Sequence, residues 1–215
     1  MTELITEWLR GWTAVRGLTD VRPTLAAAIA VRVGRGGRTV EYVVTTPGLD
    51  PEWLRAAILA DGGSPMRDWV TIPLTDDQPA EPPPGFDWAR PDVEWLMRYD
   101  PADSEAPTGV DGYAFAAETL PSGAVRVACT STKDGSEAGA ASLVVLDGFG
   151  VIDAVEVAEQ HRRKGLASQL MRQLHLIAVE QKAERLVLVA SPEGKALYES
   201  LGWQVACRAV ITTVV

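Results

Sequence analysis

Cysteine and histidine are almost missing from this 215-residue chain, which has only Cys129, Cys207, His161 and His175. Two of each, far apart, offer no metal-ligand spacing, so structural zinc is excluded and no metal is expected. Both cysteines sit in alternating apolar segments and read as reduced core residues. Long hydrophobic runs are also missing. The longest, Leu25 to Val31, falls far short of the roughly 20 apolar residues a spanning helix needs. The start, Met1-Thr2-Glu3-Leu4, lacks the basic and apolar stretches of a signal peptide, so a cytoplasmic location is expected. Basic charge is short as well: 20 Lys and Arg stand against 29 Asp and Glu, a net charge of −9. Neither nucleic acid nor a membrane is therefore an expected partner. A cationic substrate suits this balance, as does an ordinary solvated surface.

What is present is a chain that can bury a core, with 47% hydrophobic residues in a length fitting one large domain or two small ones. Ile5, Trp8, Leu9, Trp12 and Val15 recur at intervals of three and four, an amphipathic helix over Glu3 to Gly17. Ala26 to Val33 and Thr39 to Thr45 read as strands joined by the hairpin signature Gly34-Arg35-Gly36-Gly37. Asp50 caps a second helix with Pro51 in its first position and Gly62-Gly63 at its end. Trp69 to Leu74 is a further strand. Residues 76–85 hold Pro79 and Pro82 to Pro84 and read as an extended linker. A boundary is expected there, between a smaller α/β part over 1–84 and a larger one over 86–215. A short helix is expected over Asp92 to Tyr99.

Beyond Tyr113 the periodicity sharpens. Strands fit Tyr113 to Glu118, Val125 to Thr130, Ala141 to Leu146 and Gly150 to Ala158. A helix runs from about Arg163 to Lys182, with Leu166, Leu170, Leu174 and Ile177 on one stripe. A buried strand, Arg185 to Ala190, a short helix, Pro192 to Leu201, and a strand from Trp203 complete an α+β order.

The stretch Arg162-Arg163-Lys164-Gly165-Leu166-Ala167-Ser168 joins a strand to a helix. Unpaired amides at a helix start, the positive end of its dipole, nearby cations and a glycine that admits close approach make an anion site suited to a pyrophosphate. A solvated basic turn is the plainer alternative. Arg162-x-x-Gly165-x-Ala167 resembles the acyl-CoA pyrophosphate loop of the GNAT superfamily of N-acyltransferases. A second signature, Ser191-Pro192-Glu193-Gly194-Lys195-Ala196-Leu197-Tyr198-Glu199-Ser200-Leu201-Gly202-Trp203, resembles the family's later helix. The match covers roughly residues 110–215, with Ser191 in place of the usual Asn and Gly194 in place of Ala. The first 84 residues resemble, more weakly, the diverged half of two-part actinobacterial members.

The resemblance implies a mixed, mostly antiparallel GNAT-type sheet flanked by helices. It also implies acetyl-CoA as co-substrate and an amine on a small molecule, peptide or protein as acceptor. The main chains of Val155 and Val157 would meet the acyl and pantetheine groups in a gap between splayed strands. Amides from Arg163 to Ala167 would hold the pyrophosphate, and Ser191 would cap its helix or meet the cofactor. Tyr198 matches the tyrosine proposed to protonate the departing thiolate. Asp153, placed on the face of Val155 by strand alternation, is the preferred base or amine anchor. Glu156, of opposite parity unless a bulge intervenes, and Glu118 are the others, and a water relay is an equal alternative. Trp88 and Trp95 are expected near the cleft, whereas Trp8, Trp12, Trp53 and Trp69 read as core. The usual last strand of the family is expected to be short, merged or supplied from elsewhere, and an exposed final strand suits a homodimer. A catalytically weak acyl-CoA-binding module is the alternative of a different class.

Overall fold

The computed structural model describes residues 1–24, 27–35, 37–103 and 105–215. Leu25, together with Ala26 of the expected first strand and Gly36 of the hairpin turn, lies outside the described residues. The chain runs α1 (Thr2–Val15), β1 (Val21–Thr24), β2 (Ala28–Arg35), β3 (Arg38–Val44), α2 (Pro51–Ala60), β4 (Trp69–Leu74) and β5 (Phe86–Tyr99). It continues with β6 (Tyr113–Thr119), β7 (Val125–Ser131), β8 (Glu137–Leu146), β9 (Phe149–Val157), α3 (Leu166–Glu180), β10 (Arg185–Ala190), α4 (Pro192–Ser200) and β11 (Gln204–Val214). Among the described residues the strands form one sheet in the order β1-β2-β3-β4-β11-β5-β10-β9-β8-β7-β6. Only β3–β4 and β9–β10 pair in parallel, so the fold is α+β with a mostly antiparallel sheet. Among the described residues no helix is long and apolar enough to cross a membrane.

Three apolar clusters hold this sheet. Leu166, Leu170, Met171 and Leu174 of α3 pack on Val127, Leu143, Ile152 and Leu186. On the opposite face Ile5, Trp8, Leu9 and Trp12 of α1 cover Val144, Val151 and Val187. Leu54 and Ile58 of α2 pack on Val44, Val70, Val210 and Val214. Asp50 accepts from the Trp53 amide at 2.8 Å, the cap that its position before Pro51 predicts.

Two expected elements differ. Asp92 to Tyr99 is not a helix but the end of strand β5. Val93, Leu96 and Met97 fit a helical stripe, yet Val93, Trp95, Met97 and Tyr99 alternate equally well. The tertiary slot decides between them, because β5 is hydrogen-bonded between β10 and β11 and antiparallel to both. This strand, from upstream of the motifs, fills the gap between β10 and β11. The final strand is not exposed either: β11 runs between β4 and β5 inside the sheet. Trp53, expected in the core, is 45% exposed on the outer side of α2.

His175 of α3 is 2% exposed, stacked on Tyr99 at 4.4 Å, and its Nε2 has no hydrogen-bond partner. Burial, with the nearby Arg172 charge second, lowers its pKa from 6.5 to about 4. Between these values the unfolded chain binds a proton that the folded chain refuses. Stability is therefore full above pH 6.5 and falls as the pH drops toward 4. The His175 contribution lost between pH 7 and pH 5 is about 2 kcal/mol. Urea unfolding at the two pH values should show this difference, and a His175→Phe variant should lack it. An equal acid loss in the variant would rule His175 out as the cause.

Candidate functional site

The site begins where two strands part. β9 pairs with β10 only as far as Val151 opposite Val187, after which β9 stays with β8 while Leu188–Ala190 stay with β5. The Ala158 amide donates to Ala138 of β8 at 2.9 Å. Because backbone directions alternate along a strand, the polar groups of Val157 and Val155 point away from β8, into the gap. The Val157 carbonyl accepts from Arg162 Nε at 3.3 Å. Unpaired strand groups facing a cavity are costly unless a ligand or water meets them, so the gap is a place where an extended molecule can add as a strand. A cleft of about 850 Å³ opens there, lined by Val155, Glu156, Val157, Arg162, Ala167, Ser191 and Tyr198.

At one end of the cleft lies the basic loop. Helix α3 starts at Leu166, three residues later than periodicity suggests, and Gly165 is its N-cap at φ 80°. This is the left-handed region, where a Cβ is strained, and a side chain there would point into open space. Glycine is thus required by the turn itself, not tolerated inside a helix. No side chain caps α3, which leaves its first amides free for an anion. Leu166 is 1% exposed, so it can offer only its backbone, and Ser168 is half-buried. Arg163 and Lys164 are exposed in the loop before the helix. Lys164 Nζ donates to the Tyr113 hydroxyl at 2.9 Å, and that hydroxyl lies 2.9 Å from His161 Nδ1.

At the other side stands α4. Ser191 Oγ accepts from the Gly194 amide at 3.2 Å, so Ser191 caps this helix. Tyr198 is 7% exposed, and burial, with Asp153 second, pushes its phenol up to about 12. The phenol is therefore protonated across the physiological range and faces the cleft as a donor. Its ring explains the departure at Gly194, where a Cβ would come 2.9 Å from Tyr198 Cε2. A Gly194→Ala variant should gain the helix propensity of alanine, about 1 kcal/mol, but turn the Tyr198 ring. We expect little change in melting temperature and a roughly tenfold fall in turnover, as small misplacements of reacting groups are costly. Unchanged turnover would mean the ring position is unimportant.

The carboxylates are placed differently from the expectation. Ala154 has φ 54° and forms a bulge, with Asp153 opposite Ser142 and Glu156 opposite Ala140. A bulge shifts the alternation by one residue. Val155 and Val157 consequently pack with the α3 cluster, while Asp153 turns to the α1 face. There Arg16 holds Asp153 with two hydrogen bonds, 2.5 and 3.0 Å long. Asp153 and Val155 do not share a face. Glu156 lines the cleft and lies within electrostatic range of Arg16. Glu118 is exposed on β6, 3.4 Å from Arg126, and does not line the cleft. Trp88 packs with the α2 cluster, away from the cleft, whereas Trp95 lies under Lys195 of α4. Sequence reasoning missed Arg126 and Glu137, which line the cleft from strands without any motif to mark them, and Glu193, which lies within the second signature but was given no role. Cys129 and Cys207 are buried free thiols, and among the described residues no group of His, Cys, Asp and Glu could hold a metal.

Residues 122–205 match the family model described as an acetyltransferase (GNAT) domain. No curated protein matches the sequence. Among solved structures, a GCN5-related N-acetyltransferase from Kribbella flavida superposes with a TM-score of 0.67 at 18% identity, covering 99% of this chain and 95% of that one. A GCN5-related N-acetyltransferase-like protein from Streptococcus suis gives 0.55 at 12% identity, covering 100% of both chains. A tandem GNAT protein from the clavulanic acid biosynthesis pathway gives 0.58 at 14%, covering 87% and 78%. Residues 122–205 are thus similar to a GNAT acetyltransferase domain, and the chain as a whole shares the fold of these solved structures.

Proposed function

We propose that this protein is an acyl-CoA-dependent N-acyltransferase, using acetyl-CoA and an amine acceptor in a direct attack within a ternary complex. The observation that carries this reading is the separation of β9 from β10 after Val151, with the backbone of Val155 and Val157 facing a cleft that reaches Arg162, Ala167 and Tyr198. The residues fit the co-substrate. Backbone groups of Val155 and Val157 offer strand-like partners to pantetheine, and the amides from Gly165 to Ala167 with Arg162 suit its pyrophosphate. The co-substrate supplies an activated thioester.

The chain's own contribution is positioning and charge stabilisation. The Val155 amide is placed to donate to a developing oxyanion. A lysine-like amine of pKa about 10.4 is neutral only about once in 10³ at pH 7, so its proton must be accepted during the reaction. Tyr198, with its pKa near 12, is a poorer acid than a thiol of about 8.5. Full transfer to a thiolate would run uphill by about 5 kcal/mol. Tyr198 therefore acts chiefly as a hydrogen-bond donor to the leaving sulfur. In this reading 86–215 is the acyltransferase part and 1–84, joined through 76–85, is a second part that walls the acceptor side. The tandem GNAT neighbour lends support to the two-part division.

A second reading, an acyl-CoA-binding module without turnover, is favoured by one observation: Asp153 is engaged by Arg16 instead of being free. Calorimetric titration with acetyl-CoA, followed by thiol release with a panel of amines, tests both. Binding with turnover supports the enzyme, binding alone the module, and no binding at millimolar acetyl-CoA removes both.

A further inference from the structure

Opposite the large cleft, on the α1 face of the strand separation, lies a second cavity of about 170 Å³. Its size is well above the ~10–15 Å³ that one water needs. Asp153 of β9 and Val189 of β10 both line it, so it opens where those strands have parted. It lies next to the cleft along β9: Asp153 lines this cavity and its chain neighbour Ala154 lines the cleft.

The cavity is built from charge pairs and aromatic walls. Arg16 pairs with Asp153, Arg38 with Glu41 at 2.7 Å, and Arg90 with Glu94 at 3.1 Å. Trp8, Trp12 and Trp69 supply flat apolar surface. Two observations point to a ligand. Glu41 is 4% exposed, and although its Oε2 lies near Arg38 Nε, neither atom makes a hydrogen bond of proper geometry. Burial raises the Glu94 carboxyl above the usual carboxylate range, against the opposing pull of Arg90. Glu41 thus keeps a cavity-lining oxygen without a hydrogen bond, and Glu94 is held where burial disfavours its charge.

Three carboxylates and three guanidinium groups leave the cavity without formal net charge. A plain ammonium ion entering it would draw Asp153 or Glu94 from its arginine and leave that half-buried arginine without its counter-charge, which is unfavourable. A plain anion would do the reverse. A molecule with both charges inserts into an existing pair and leaves every charge matched. We propose that the acceptor is a small zwitterionic amine of the amino-acid type, its ammonium taken by Asp153 or Glu94, its carboxylate by Arg16 or Arg90, and its apolar body set against the tryptophans. Helix α1 with its C-cap Arg16, and strands β5 and β9, thereby determine acceptor specificity. This rests on the acyl-transfer reading for the use of the site, but not for binding.

The tryptophans in the wall allow binding to be read without turnover. The full chain is titrated with a panel of free amino acids by tryptophan fluorescence, and the best binder is compared with its decarboxylated and deaminated analogues. The zwitterion should bind about tenfold more tightly than either. In Arg16→Gln, which frees Asp153, the zwitterion should weaken about tenfold while the decarboxylated amine holds or gains. A merely structural role for Arg16 would weaken both alike. A decarboxylated amine that binds the unaltered protein as well as the zwitterion would overturn the proposal, as would no response to any amino acid at about 10 mM. Separate titration with acetyl-CoA keeps the two failures apart: loss of that binding alone sinks acyl transfer, while loss of zwitterion selectivity alone sinks the acceptor class.

Discussion

Replacing Gly165 with glutamate should weaken acetyl-CoA binding by at least about 100-fold while leaving the fold intact. Two effects combine in that variant. Gly165 sits at φ 80°, where an L-residue costs roughly 1–2 kcal/mol, so the turn that aims the first α3 amides is strained toward another shape. The added carboxylate then places a negative charge where an anion must approach, competing for the same amides and for Arg162. A side chain at this position meets open space, so the core beneath Leu166 is undisturbed. Calorimetry on both proteins, with thermal unfolding as the control, checks the result. Gly165→Ala separates the causes, since it keeps the strain and omits the charge, and a fall of about tenfold is expected there. Retained micromolar affinity in Gly165→Glu would mean that this loop does not hold the pyrophosphate.

Removing only the hydroxyl of Tyr198, by Tyr198→Phe, should lower kcat by about 100-fold and move the acetyl-CoA Kd by less than threefold. The ring is what packs: it is 7% exposed, touches the first turn of α4 at Gly194 and lies 6.2 Å from the Trp203 ring centre. Phenylalanine preserves all of that. In the proposed reaction the hydroxyl is the part that would meet developing charge, and loss of one well-placed donor is typically worth 10² to 10³ in rate. With a pKa near 12, the phenol stays a donor throughout the working range. The basic limb of a pH–rate profile below about pH 10 should therefore be the same in both proteins. Equal turnover in the two would exclude Tyr198 from the reaction, and a matched loss of Kd would make it a binding residue alone.

The local chemistry was legible in the sequence wherever it depended on residues close together in the chain. Asp50-Pro51 predicted a capped helix start, and a cap is what Asp50 makes. Ser191 before Pro192 predicted the start of α4 in the same way. The Arg162-x-x-Gly165-x-Ala167 spacing pointed to a turn with free amides, although it did not show that the glycine is a left-handed N-cap. Periodicity cannot tell a left-handed N-cap from the first helical turn, because only the backbone angle separates them.

What escaped the sequence was set by partners far away in the chain. Asp92 to Tyr99 satisfies helical and strand spacing together, and only the vacancy between β10 and β11 selects the strand. The face of Asp153 depended on one residue, Ala154, whose bulge reverses the alternation, and nothing in alanine announces a bulge. The second cavity is the extreme case: it brings local ion pairs of β3 and β5 together with the pair of Arg16, at the end of α1, and Asp153 of β9, which lie 137 positions apart. The sequence by itself determined most of the elements, the glycine turn before α3 and the phenol on α4, because these follow from local spacing and backbone chemistry. The tertiary structure decided which carboxylates face which compartment, because the side on which a strand residue points is fixed by its pairing and not by its identity.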